Sequence, residues 1–146
     1  MDRYRIDPQI STLPAAFRHF VACPEGRIAV GHLPEAVRAA FGARTGEVLL
    51  SAETMAKQKR HHPDLTADDY LLLPLLLSWS DVAVAQAGHR AALLRVGRKT
   101  LRAAVKTTID RRESYLISLH YMGEAALRRF LRDAALLSCM PRNLPP

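Results

Sequence analysis

The chain has only two cysteines, 6% aromatic residues and no long hydrophobic run, and each shortage removes a class of protein. Cys23 and Cys139 stand near opposite ends without metal-ligand spacing, so the sequence predicts neither a disulfide framework nor a zinc site. The most apolar run, residues 70–77, is interrupted by Pro74 and is far shorter than the roughly 20 residues a spanning helix needs, so no membrane association is expected. The amino terminus reads MDRYRIDPQIS, acidic and polar where a secretory signal requires an apolar stretch, and a cytoplasmic location is the expectation. No phosphate-cradling glycine loop, nucleophile elbow or dinucleotide fingerprint occurs. His61 and His62 are adjacent rather than three or four apart, with no carboxylate at helical spacing, so neither a metal nor a cofactor is expected. The scarcity of aromatics also speaks against an extended platform for stacking single-stranded bases.

What the chain does have is apolar material for one core and an uneven charge. Its 146 residues are 49% hydrophobic, within the usual range for one domain. The formal charge is +7, yet residues 1–89 hold nine Lys and Arg against ten Asp and Glu, whereas residues 90–146 hold twelve against four. The whole excess lies in the second part, as a phosphate-binding face requires and an evenly solvated surface does not. A polyanion is therefore the leading partner class.

The order of patterns predicts an α+β fold in which N-terminal helices pack on a four-stranded antiparallel β-meander followed by a C-terminal helix. Residues 1–45, broken by Pro8, Pro14, Pro24 and Gly26, read as an arm with short elements, including a helix over 33–41. Residues 46–138 form the main α+β domain, and 139–146 a tail. Ser51 suits the cap of a helix running to about residue 62, stopped by Pro63. Thr66-Ala67-Asp68-Asp69 resembles a capping box opening an apolar helix over 67–78, bent or split at Pro74 and lying beneath the sheet. Strands are expected over 82–86, 91–96, 101–109 and 115–121, joined by connections too short for parallel crossovers. The last helix, 124–137, carries Leu127, Phe130 and Leu131 on one side and Arg128, Arg129 and Arg132 on the other.

Alternation along the last two strands sorts their side chains. Matching apolar to apolar sets Ile109 opposite Tyr115 and Val105 opposite Leu119, and gathers Arg102, Lys106, Ser118 and His120 on the other face. Two cations, a hydroxyl and an imidazole on a rigid sheet suit RNA cleavage without a metal. That chemistry needs a base for the 2′-hydroxyl, an acid for the leaving 5′-oxygen and cations for the phosphorane. A second cluster lies on the first capped helix, where Ser51 and Thr54 are a turn apart and Thr54, Lys57 and His61 recur at helical spacing, with His62 adjacent. His19, His32 and His89 fall in segments read as irregular.

The stretch VLLSAETMAKQKRHHPDLTADDYLLLPLLLS, with GRKTLRAAVKTTIDRRESYLISLHYMGEAALRRFL after it, resembles the phage-encoded branch of the barnase/EndoU/colicin/RelE-like nucleases over roughly residues 46–135. The resemblance implies helices followed by a four-stranded antiparallel sheet, and a metal-independent ribonuclease, often a toxin, with an inhibitor or phage protein as further partner. Carried over by position, it points to Ser51, Thr54, Lys57 and His62 in the first helix region and to Lys106, Ser118 and His120 in the last strands. The rival expectations are a basic nucleic-acid-binding module without catalysis and a phage assembly component.

Overall fold

The computed structural model describes residues 8–133 and 135–139. Helix α1 (Pro8–Ala22) leads into strand β1 (Arg27–His32), helix α2 (Glu35–Phe41) and strand β2 (Glu47–Ser51). Helices α3 (Ala52–His61), α4 (Ala67–Tyr70) and α5 (Leu73–Ser78) follow. Strands β3 (Val82–Gln86), β4 (Arg90–Arg95), β5 (Thr100–Thr107) and β6 (Ser114–Met122) come next, and helix α6 (Glu124–Arg132) and strand β7 (Ala135–Cys139) close the order.

The fold is α+β, but its sheet is larger than the expected meander. Seven strands run in the order β1-β2-β6-β5-β4-β3-β7. The four expected strands do form consecutive antiparallel pairs at its centre. On one edge β2 joins β6 in parallel, through Val48 opposite Ser114 and Leu49 opposite Tyr115, and β1 pairs antiparallel with β2. On the other edge β7 pairs antiparallel with β3. The expectation of helix as far as residue 137 is therefore corrected: α6 stops at Arg132 and the chain rejoins the sheet. Of the tail expected over 139–146, Cys139 instead ends β7, and residues 140–146 lie outside the described residues.

Within the first 45 residues, expected to form an arm, the described part supplies sheet and core. Phe17 and Phe20, a turn apart on α1, are buried with Val30 of β1 and with Val37 and Phe41 of α2. Proline spacing concealed this, because α1 continues through Pro14. Gly42 ends α2 with φ 65°, the left-handed turn a glycine takes without a Cβ penalty.

The main core fills the space between one face of the sheet, the first face, and helices α1 to α5. Leu73, Leu76 and Leu77 of α5 are fully buried there beside Leu93, Leu101, Ala103 and Leu119. The expected single helix over 67–78 is two helices that break at Leu71-Leu72, and Pro74 sits in the first turn of the second, where its missing N–H costs little. Thr66 and Asp69 form the expected capping box. A smaller apolar cluster lies on the opposite, second face, where Val84, Ala92, Leu94 and Met122 are covered by Leu127, Phe130 and Leu131 of α6.

The register of β5 with β6 departs from the expectation. Arg102 pairs with His120, Ala103 with Leu119 and Ala104 with Ser118, but Val105 then pairs with Leu116. Ile117 is left over as a bulge, and because Leu116 and Leu119 both enter the main core, Ile117 and Ser118 both turn to the second face. Val105 therefore does not face Leu119. Ile109 does not pair with Tyr115 either; it lies 88% exposed in the hairpin loop over 108–113.

Candidate nucleic-acid interface

The second face is the one on which the sequence-predicted residues gather. Strand alternation places Arg102 and Lys106 of β5 there with Ser118 and His120 of β6, and Arg90 of β4 lies opposite Lys106. Apart from α6, no described helix packs into the apolar cluster on this face. Lys106 and Arg90 are exposed, while Arg102, Ser118 and His120 are half-buried.

Helix α3 brings a second histidine to this row. Met55 and Gln58, three residues apart, are buried, and His62 continues the same stripe four residues later at the C-cap. The expected cap at the other end is present, with the Thr54 N–H donating to Ser51 Oγ at 3.2 Å and Ser51 Oγ donating to Thr54 Oγ1 at 3.1 Å. Gln58 anchors the helix to the edge of β6 beyond the end of β2. Its Nε2 donates to the Leu119 carbonyl at 2.8 Å and its Oε1 accepts the Leu119 N–H at 3.2 Å, so one amide takes the place of a neighbouring strand. The same Nε2 donates to Tyr70 Oη at 3.2 Å. Both ends of this clamp bear on the site, since His120 follows Leu119 and His62 lies one turn beyond Gln58. The two imidazoles stack with centroids 5.4 Å apart and planes 11° from parallel.

Of the adjacent pair, then, His62 meets the sheet, while His61 is exposed on another stripe with Thr54 and Lys57. Helical spacing puts that stripe on the flank opposite Lys59, whose Nζ donates to the Val21 carbonyl of α1 at 2.9 Å. It therefore lies away from the Lys59 contact with α1. His62, His120 and Arg102 are thus brought together, with Ser118 next along the strand. Ser51, Thr54, Lys57 and His61 lie along the adjoining helix, and Lys106 lies four residues from Arg102.

Electrostatics single out the same pair. Burial, the Arg102 guanidinium and the His62 ring, in that order of effect, hold the His120 imidazole below its ordinary value. Burial also lowers the pKa of Arg102. The Arg102 guanidinium packs on the Phe130 ring of α6, 4.4 Å from its centroid. Arg102 Nε and His120 Nδ1, on directly paired residues, are both buried atoms with no hydrogen-bonding partner in the structure. Unpaired polar atoms of this kind each cost about 1–3 kcal/mol, and they mark places where a ligand can restore the bond. Sequence reasoning missed Gln58 and Phe130 as parts of the site. A Gln on the Met55–His62 stripe was the available signal for the first; the second depended on how α6 crosses the sheet.

Among the described residues no group of three or more His, Cys, Asp or Glu is gathered as metal ligands, and no helix is long and apolar enough to cross a membrane. Comparison of the chain with known protein families, with curated proteins and with solved structures finds no match.

Proposed function

We propose that the second face binds RNA and cleaves it without a metal ion, in the manner of the phage-encoded nucleases that residues 46–135 resemble. The observation that carries this reading is the convergence of His62, His120 and Arg102 on a basic sheet face, two of them with unpaired buried polar atoms. The strands β3 to β6 serve as the nuclease-like meander and α3 as the helix that completes the site. His120, whose pKa burial and the neighbouring Arg102 and His62 lower, takes the proton from the 2′-hydroxyl. The 2′-oxygen bonds to phosphorus, the bond to the 5′-oxygen breaks, and His62, or Lys57 from the flanking stripe, protonates the leaving oxygen. Arg102 and Lys106 hold the phosphate, with Ser118 as a hydrogen-bonding neighbour. The products are a 2′,3′-cyclic phosphate and a 5′-hydroxyl. A toxin of phage or prophage origin, with an inhibitor that covers this face, fits the same arrangement.

One feature of the geometry favours a second reading, binding without cleavage. Rings stacked at 5.4 Å leave no room for a phosphate between their faces, so the phosphate has to meet the ring edges. The two readings separate in one experiment: a mixed RNA panel in EDTA, with wild type and His120→Ala purified identically and checked for folding. Cleavage lost in the variant supports the nuclease. Salt-dependent binding without cleavage by either protein supports the binding module, and its salt slope falls by about one unit in Lys106→Ala. Intact RNA with no binding refutes both.

A further inference from the structure

At the hairpin end of the second face lies a groove of about 640 Å³ lined by Lys106, Thr108, Ile109, Asp110, Glu113, Tyr115 and Ile117. Its apolar lining is held in place by contacts that use up the local acids. The phenol of Tyr115 accepts from Arg27 at 2.6 Å and donates to Glu113 at 3.3 Å, and Arg27 also pairs with Glu113. Asp110 accepts from the Thr108 hydroxyl at 2.6 Å and the Arg112 N–H at 3.0 Å. The loop itself is braced against the end of α2: the Arg111 guanidinium donates to the Phe41 carbonyl, and the Arg44 N–H donates to the Arg111 carbonyl at 2.9 Å. With both carboxylates engaged, Lys106 is the lysine that lines the groove, and Arg90 pairs with it on the neighbouring strand; neither has a carboxylate partner among the described residues. Ile109, 88% exposed, is an apolar side chain held out at the lip with no burial to account for it.

We propose that this groove is a subsite for an unpaired base of a single RNA strand, received between the Tyr115 ring, Ile117 and Ile109, with Lys106 and Arg90 on the flanking phosphate. The inference rests on the reading of the second face as an RNA surface and adds the place where the strand is gripped away from the histidines. Lys106 is four residues from Arg102 along β5, a separation of about 13 Å. That spans about four nucleotides stacked at roughly 3.4 Å each, and fewer in an extended strand. The grip is one ring and two aliphatic side chains, in keeping with a chain poor in aromatics.

The test measures binding of a single-stranded DNA decamer, which lacks the 2′-hydroxyl and so cannot be cleaved, by wild type, Ile109→Asp and Ile109→Tyr. At 88% exposure neither substitution disturbs the core, and melting temperatures equal to wild type verify this. Ile109→Asp is expected to weaken binding about tenfold and Ile109→Tyr, which adds a ring to stack on, to tighten it about threefold. Wild-type affinity in both variants overturns the subsite while leaving the RNA-binding face in place. If wild type shows no salt-dependent binding of the decamer or of RNA, the underlying reading fails and the subsite with it.

Discussion

Replacing Gln58 tests whether one side chain holds the site together. Its amide makes two hydrogen bonds with the Leu119 peptide and one with Tyr70 Oη, all in buried surroundings. Gln58→Met keeps the volume but leaves the Leu119 N–H and C=O without partners. At about 1–3 kcal/mol for each orphaned group, the expected loss is about 3 kcal/mol. For a chain of this length that lowers Tm by roughly 6–12 °C. The assay is urea unfolding, in which the midpoint should fall while the slope stays constant. Gln58→Glu adds a pH signature. As a carboxylate it can accept the Leu119 N–H but cannot donate to the Leu119 carbonyl; once protonated it can do both. Its folded-state pKa is therefore raised above the ordinary value of about 4.3, and its deficit relative to wild type should shrink as pH falls through that raised value. A loss below about 1 kcal/mol in Gln58→Met, or a Gln58→Glu deficit that does not change with pH, refutes the clamp. A folded Gln58→Met that keeps full RNA cleavage refutes its role in positioning the histidines.

Three further expectations follow from packing and charge. Gly31→Ala should cost about 2 kcal/mol or more in chemical denaturation, because φ is 153° and the new Cβ would stand 2.9 Å from Leu77 Cδ1 and 3.2 Å from Pro74 Cα; a neutral result would mean that α5 is free to shift. His120 has a folded-state pKa below its unfolded value of about 6.5, so the unfolded state binds the proton first and stability should fall as pH drops below about 6.5 and level off below the lowered folded value. His120→Ala should flatten that part of the stability profile, and an unchanged slope would contradict the cause assigned to the shift. Ser51→Ala should lose about 1 kcal/mol through the cap of α3, measured by thermal melting, without changing the salt dependence of RNA binding.

Much of this could be read in the residues themselves. The caps at Ser51 and Thr66, the four central strands, and the two faces of α6 follow from local chemistry and from periods of two and 3.6 residues, which neighbours did not override. Alternation also sufficed to put Arg102, Ser118 and His120 on one face, since a strand has only two. The edges of the sheet were hidden because β1 and β2 lie between helices, and β2 and β7 join the sheet through β6 and β3, which are distant in the chain. The bulge at Ile117 was equally illegible: LISLH alternates acceptably in either register, and the choice depends on which of Leu116 and Leu119 find space in the core.

Local pattern and composition were enough to make the chain α+β, basic in its second part, and equipped with imidazoles and cations at strand and helix spacings. That His62 and not His61 meets His120 depends on long-range packing, because it rests on Gln58 finding the edge of β6 beyond the end of β2. Spacing along a chain constrains which residues share a face; which face meets which edge is set by long-range packing, and there the candidate site was made.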